Sequence, residues 1–163
     1  MPHSQKQDGP HLDELLCFSV YATSLAFNRL YLPLLEPLGL TYPQYLVMTV
    51  LWDEDDQFIW QIGEKLALVV STLTPLLKRL EAAGYVTRTR AKSDERQVQI
   101  ALTDKGRALR EQARHIPGCI AKSTGMTLER LVKLKREIDT LREGLEASKN
   151  MVEQSVCLTA PSR

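Results

Sequence analysis

Hydrophobic positions along this chain recur mostly at helical spacing, with one short interval of alternation. In residues 71–102, Leu73, Leu76, Leu77 and Leu80 fall at i, i+3, i+4 and i+7, the spacing of one buried helical stripe. Lys78, Arg79 and the hydroxyls of Ser71, Thr72 and Thr74 lie largely off that stripe. Gly84 fits a left-handed helix end, which a residue without a Cβ enters freely. Residues 86–90 and 97–102 then read as two pairing strands, with Val98, Ile100 and Leu102 alternating toward a core. The tip between them, Ala91-Lys92-Ser93-Asp94-Glu95-Arg96, is polar and heavily charged.

Before this stretch, residues 1–10 read as a disordered lead. From His11 a long helical segment carries Leu12, Leu15, Leu16, Leu25, Leu30, Leu34 and Leu35 on more than one side, as a helix buried between others or in a subunit interface does. Pro33 and Pro37 bend or end it, and Gly39 closes the turn. Thr41-Tyr42-Pro43-Gln44 predicts a capping box opening a second helix to about Asp53. Asp53-Glu54-Asp55-Asp56 reads as a solvated loop. Residues 57–68 hold a short helix with a poor start, since Trp60 stands where a Ser or Thr would cap. Leu68-Val69-Val70 turns into the helix described above, where Pro75 lies early enough to cost at most one backbone bond. Beyond the hairpin, Thr103-Asp104 caps another helix, which Ile116-Pro117-Gly118 interrupts. Thr127 caps a last helix to about Lys149, with Leu128, Leu131, Leu134, Ile138, Leu141 and Leu145 along a packing seam; residues 150–163 read as a flexible tail.

The predicted fold is therefore mainly α with a small β-hairpin. A helix offering hydroxyls and bases, followed by a basic β-ribbon, is the arrangement of a winged helix-turn-helix that meets DNA. The winged helix would span about 42–102. It is flanked by apolar helices at about 11–36 and 104–149 that it does not need for its own core. These either complete the monomer or interlock two chains. A dimer would set two reading helices in successive major grooves, about 34 Å apart, on a pseudo-palindromic operator.

Length and composition fit one domain of a soluble globular protein: 163 residues, 44% hydrophobic and 25% charged. A net charge of +1 decides nothing, but its distribution does. Residues 78–110 hold nine bases (Lys78, Arg79, Arg88, Arg90, Lys92, Arg96, Lys105, Arg107, Arg110) against four acids, a local +5. That is the electrostatic footprint of a nucleic-acid binder, although a solvated charged face would give the same count. No secretory signal is visible, and no apolar run approaches the roughly 20 residues of a membrane span. Cys17, Cys119 and Cys157 are odd in number and widely spaced, which fits neither a disulfide framework nor a zinc pattern. With His3, His11 and His115 scattered, no metal or other cofactor is expected, and the expected location is cytoplasmic with thiols reduced.

Several separate motifs carry a family likeness. LGLTYPQYLVMTVLW, STLTPLLKRLEAAGYVTRTR, Asp94-Glu95-Arg96 and LTDKGRALREQA resemble the MarR family of dimeric winged-helix repressors. LLCFSVYATSLAFNRLYLPLLEPLGLTYPQY is similar to its organic hydroperoxide sensors, the OhrR branch. The likeness covers about residues 12–148 as a single MarR-type domain within 11–149. It implies a sensing cysteine early in the first helix, here Cys17, whose thiolate accepts hydrogen bonds from tyrosines, here Tyr21, Tyr31 and Tyr42. Only a thiolate attacks a peroxide, and a free thiol near pKa 8.5 is mostly protonated at neutral pH. Phenolic donors favour the anion without adding charge. Tyr21 shares a helix face with Cys17, whereas Tyr31, about 21 Å further along a straight helix, reaches only the cysteine of an antiparallel partner. Leu16, Phe18 and Phe27 nearby favour organic peroxides. On its own, a lone cysteine on an apolar helix is more often inert core.

The likeness further implies a DNA-binding repressor, released when organic hydroperoxide oxidises Cys17. A sulfenic acid forms first and is resolved by another thiol: Cys119, Cys157 or a small cellular thiol. Cys119 stands about one helical turn before the position that two-cysteine relatives use, which Lys122 occupies. For DNA, Ser71, Thr72, Thr74 and Lys78 are the candidates near base edges and phosphates. Arg88 and Arg90 are assigned to the backbone, and Arg96 to a minor groove, held by Asp94. Three rival readings stand beside this one. The first is a repressor released by a small phenolic or lipophilic ligand, with Cys17 as packing. The second is a thiol peroxidase, which lacks a nucleophile–base pair, so no enzyme is expected. The third is an interaction module built on the terminal helices.

Overall fold

The computed structural model describes residues 11–90 and 97–159, with side chains to residue 148. The expected lead at 1–10 and the wing tip at 91–96 lie outside the described residues. The helices are α1 (Leu16–Leu35), α2 (Tyr42–Asp53), α3 (Ile59–Leu66), α4 (Val70–Ala82), α5 (Asp104–Ala113), α6 (Ile116–Ser123) and α7 (Leu128–Thr159). The strands are β1 (Gln57–Phe58), β2 (Val86–Arg90) and β3 (Val98–Leu102). The chain divides into two compact units, one ending at Ile116 and one beginning at Pro117.

The first unit is built around α2, which packs against α1, α3, α4, α5 and β3. Val47, Met48 and Leu51 of α2 meet Ile62 of α3 and Leu73, Leu77 and Leu80 of α4 in a core from which water is excluded. Three of the four predicted α4 leucines are fully buried, and Leu76 is half-buried. β2 and β3 pair antiparallel, with Val86 opposite Leu102 and Arg88 opposite Ile100. Ile100 and Leu102 point into the core as the alternation predicted.

Several local expectations need correction. The α1 segment does not begin at His11: Leu12–Glu14 is a separate 3-10 turn, and the helix starts at Leu16. Gln57 and Phe58, expected in a helix, form β1, which pairs with β3 at Gln57–Ile100 and Phe58–Gln99 and makes the sheet three-stranded in the order β1-β3-β2. Two residues are too few for alternation to show. The start of α3 is better capped than its sequence promised, because the Gln61 side chain accepts from the Phe58 amide at 2.8 Å. Ile116-Pro117-Gly118 is the first turn of α6 rather than a break; the break falls at Arg114–His115, and proline suits a first turn whose amides lack partners. Finally, α7 continues to Thr159, ten residues into the expected tail.

Capping follows the sequence elsewhere. The Gln44 oxygen accepts from the Thr41 amide at 2.8 Å and its hydroxyl at 3.0 Å. Thr103 accepts from the Gly106 amide at 3.0 Å, and Thr127 from the Arg130 amide at 3.3 Å. In the second unit, Leu128, Val132, Leu134, Ile138 and Leu145 of α7 are exposed, with Leu131 and Leu141 half-buried. Among the described residues, no helix is long and apolar enough to cross a membrane.

Candidate nucleic-acid interface and thiol site

Helices α3 and α4 form the helix-turn-helix. Ala67, in the left-handed region at φ 53°, ends α3, and the Leu68 amide returns to the Gly63 carbonyl at 2.9 Å. A Cβ on Gly63 would lie 2.6 Å from the Leu68 carbonyl oxygen, so only glycine permits this closeness. With its leucines inward, α4 presents Ser71, Thr72, Lys78 and Arg79 to solvent. Thr74 is half-buried, and its hydroxyl donates to the Val70 carbonyl at 2.8 Å.

The hairpin is fixed to α4 and α5 at its base. The Thr103 hydroxyl donates to the Gly84 carbonyl at 2.6 Å, and its amide donates to that of Tyr85 at 3.0 Å. Trp52 Nε1 donates to the Gly106 carbonyl at 2.9 Å, and the Tyr85 hydroxyl to the Leu38 carbonyl at 2.9 Å. Asp55, from the acidic loop expected to be merely solvated, accepts from the Leu102 amide at 2.8 Å and pairs with Arg107. These bonds hold the wing at one attitude to the reading helix.

Not every base in the +5 stretch faces outward for a ligand. Lys105 donates to the Ala83 carbonyl at 2.8 Å and lies over the Tyr85 ring, 4.7 Å from its centre. Arg107 is held by Asp55. Arg88 Nη1 lies 3.4 Å from Glu81, and its Nε is buried with no hydrogen-bond partner among the described residues. Lys78, Arg79, Arg90 and Arg110 are exposed. Asp94 and Arg96 lie outside the described residues.

The thiol-site residues fall into two groups at opposite ends of α1. Cys17 is in the first turn and exposed, and Tyr21 one turn on is 61% exposed. Tyr31 stands near the other end, about 21 Å further along at 1.5 Å per residue. Its ring lies 4.4 Å from Tyr42 and 5.8 Å from Tyr45, centre to centre. Within one chain the structure therefore brings Tyr31 to Tyr42 but not to Cys17. Tyr45 is the cluster member that sequence reasoning missed; its i+3 spacing from Tyr42 was the available signal. Burial, then the neighbouring Tyr42 and Tyr45, pushes the Tyr31 phenol up to about 12. Tyr42 is raised too, by burial and Tyr45. Both hydroxyls, protonated at neutral pH even at the ordinary phenol value, are available as hydrogen-bond donors there.

Cys119 is half-buried in α6, and Cys157 falls in the last turns of α7, where side chains lie outside the description. Among the described residues, no group of three or more His, Cys, Asp or Glu side chains could hold a metal ion.

Residues 29–112 match the family model described as transcriptional regulator SarA/Rot. The chain is 48% identical to the HTH-type transcriptional regulator TtmR of Methylorubrum extorquens (strain PA1), over 90% of this chain and 75% of that protein. It is 44% identical to the organic hydroperoxide resistance transcriptional regulator of Bacillus subtilis (strain 168), over 86% of this chain and 95% of the relative. Among solved structures, reduced AbfR bound to DNA is similar at TM-score 0.73 and 39% identity, covering 83% of this chain and 93% of that one. AbfR, from Staphylococcus epidermidis, has also been solved overoxidized on DNA and in a disulfide form. These relatives are regulators of transcription rather than enzymes, and their fold is the winged helix that the α3–α4 pair and three-stranded sheet build here. The chain belongs to the SarA/Rot family of transcriptional regulators, on a MarR-type winged-helix fold, beside the organic hydroperoxide resistance regulator of Bacillus subtilis.

Proposed function

We propose that this regulator binds a pseudo-palindromic operator as a homodimer and is released when an organic hydroperoxide oxidises Cys17. The observation that carries the reading is the state of α1. From Leu16 to Arg29 every side chain is exposed, and only the last turns dock, with Leu35 buried. A protruding helix of about that length is marginal in water unless an apolar face is covered. Exposed apolar side chains lie on two opposite sides of it, Leu16 and Phe27 on one and Phe18 and Leu25 on the other, so it offers more than one face to cover. An antiparallel second copy covers one of these and carries its own Tyr31 and Tyr42 toward Cys17, joining the two groups that a single chain holds apart. Protonated at neutral pH, as a phenol with even the ordinary pKa of about 10 is, those tyrosines donate to the thiolate.

The Cys17 thiolate attacks the outer oxygen of the hydroperoxide. The O–O bond breaks, the alkoxide leaves and takes a proton as the alcohol, and sulfur keeps one oxygen as sulfenic acid. A second thiol displaces water and forms a disulfide. Closing that bond needs Cα atoms within about 7 Å, so joining Cys17 to a remote cysteine moves helices and alters the spacing of the two reading heads. Ser71, Thr72, Thr74 and Lys78 serve as base and phosphate contacts, Arg88 and Arg90 as backbone contacts, and Arg96 with Asp94 as the minor-groove contact. The relative named for organic hydroperoxide resistance, and AbfR with its reduced, overoxidized and disulfide forms, support the chemistry.

The test is a gel shift on the DNA upstream of the chain's own gene, with cumene hydroperoxide and then dithiothreitol. The wild type should bind, release and rebind, and Cys17→Ser should bind and ignore the peroxide. Release of Cys17→Ser by peroxide would refute the sensing role. Paired tests of Cys119→Ser and Cys157→Ser identify the resolving thiol: the variant that stops at a sulfenic acid has lost it, and if neither stops, a small thiol resolves.

A further inference from the structure

The start of α4, like that of α1 at Leu15, has no side-chain cap, whereas α2, α3 and α5 are capped. Thr41 with Gln44 opens α2, Gln61 reaches back to Phe58 at α3, and Thr103 accepts from Gly106 at α5. At α4 the capping position is Val69, with no side-chain oxygen to offer, and Val70 is the first helical residue. Valine is among the poorest residues for that role. Burial does not account for it either, since Val69 is 66% exposed and Val70 45% exposed.

Two adjacent exposed valines therefore stand at the end of the reading helix that comes first, beside Ser71 and Thr72 in the chain, with Val70 at the head of the leucine stripe. In a helix-turn-helix, the first residues of the second helix are those that reach base edges in the major groove. The apolar group that B-DNA displays there is the 5-methyl of thymine. We infer that Val69 and Val70 contact thymine methyl groups in each operator half-site and so help set which sequence is bound. The inference rests on the operator binding proposed above. It assigns to the α4 start a base-reading role beside the hydroxyls and bases already named.

The full-length chain, kept reduced, is used to enrich duplexes from a random library. The selected duplex is then resynthesised with each thymidine replaced in turn by deoxyuridine, which removes the methyl and leaves every hydrogen-bonding group. One or two positions per half-site should bind about three- to fivefold more weakly, the equivalent of losing one buried methyl group. Val69→Ser with Val70→Ser should bind the thymine and uracil forms alike, and its melting temperature should not fall, because Ser supplies the missing cap. Val70→Ala, which keeps the helix, should narrow the preference. Equal binding of the wild type to every uracil-substituted duplex overturns the inference while leaving operator binding intact. So does an undiminished thymine preference in the serine variant. If no duplex is enriched and the wild type binds no DNA at low salt, the operator reading fails and this inference with it.

Discussion

Replacing Gly106 with alanine sets a local preference against a tertiary constraint of opposite sign. Gly106 is the third residue of α5, and its φ is not in the left-handed region. Helix propensity alone therefore predicts a gain of about 1 kcal/mol for alanine. The fold predicts a loss. A Cβ there would stand 2.0 Å from the Tyr85 carbonyl oxygen, 3.0 Å from its carbon and 3.3 Å from Leu102 Cδ2. Carbon–oxygen contacts settle at about 3.3–3.6 Å, so α5 and the start of β2 must part by more than about 1 Å. That separation strains three bonds: Thr103 amide to Tyr85 carbonyl at 3.0 Å, Thr103 hydroxyl to Gly84 carbonyl at 2.6 Å, and Trp52 to Gly106 carbonyl at 2.9 Å. At about 1 kcal/mol each, with about 1–3 kcal/mol for overpacking and less the propensity gain, the loss is about 1–5 kcal/mol according to how many break. A central value of about 3 kcal/mol lowers the melting temperature by about 6–12 °C. Urea unfolding followed by circular dichroism reads the free energy directly. A Gly106→Ala protein as stable as the wild type would show that the wing base yields without resistance, and the account of what holds the hairpin would be wrong.

Asp55→Ala leaves the buried-end Leu102 amide without its acceptor and should cost about 1–3 kcal/mol in urea unfolding. Asp55→Asn keeps an acceptor oxygen and loses mainly the half-exposed pairing with Arg107, worth under about 1 kcal/mol; equal losses for the two would place the effect in the ion pair. Tyr31, raised in the fold to about 12, should titrate there in the absorbance difference between wild type and Tyr31→Phe. Because the fold favours the protonated phenol, its contribution to stability is fully present below pH 10 and lost as pH rises toward about 12. A Tyr31 ionisation near pH 10 would contradict the tight phenol cluster.

The parts legible in the sequence are those where a repeat or a local cap carries the signal. Leu73, Leu77 and Leu80 of α4, the Ile100–Leu102 part of the β3 alternation and the Thr41–Gln44 and Thr103 caps each act over a few residues and stand where their patterns placed them, whereas Val98 and Leu76 are only half-buried. Short or compensated features were not legible. β1 is a strand only because β3 lies beside it, and Ala67 holds a positive φ because the turn around Gly63 demands it. Asp55 looked like one acid among four until Leu102 and Arg107, about 50 positions on, came into reach.

What this sequence determined by itself is a reading helix, a wing and two apolar flanking helices, because periodicity and capping are properties of neighbouring residues. Only the tertiary structure decided which bases the fold engages, why a side chain at Gly63 or Gly106 forces its neighbours apart, and that Tyr31 joins Tyr42 and Tyr45 at the end of α1 away from Cys17. Those facts depend on the distance between residues far apart in the chain, and that distance exists only once the core has closed.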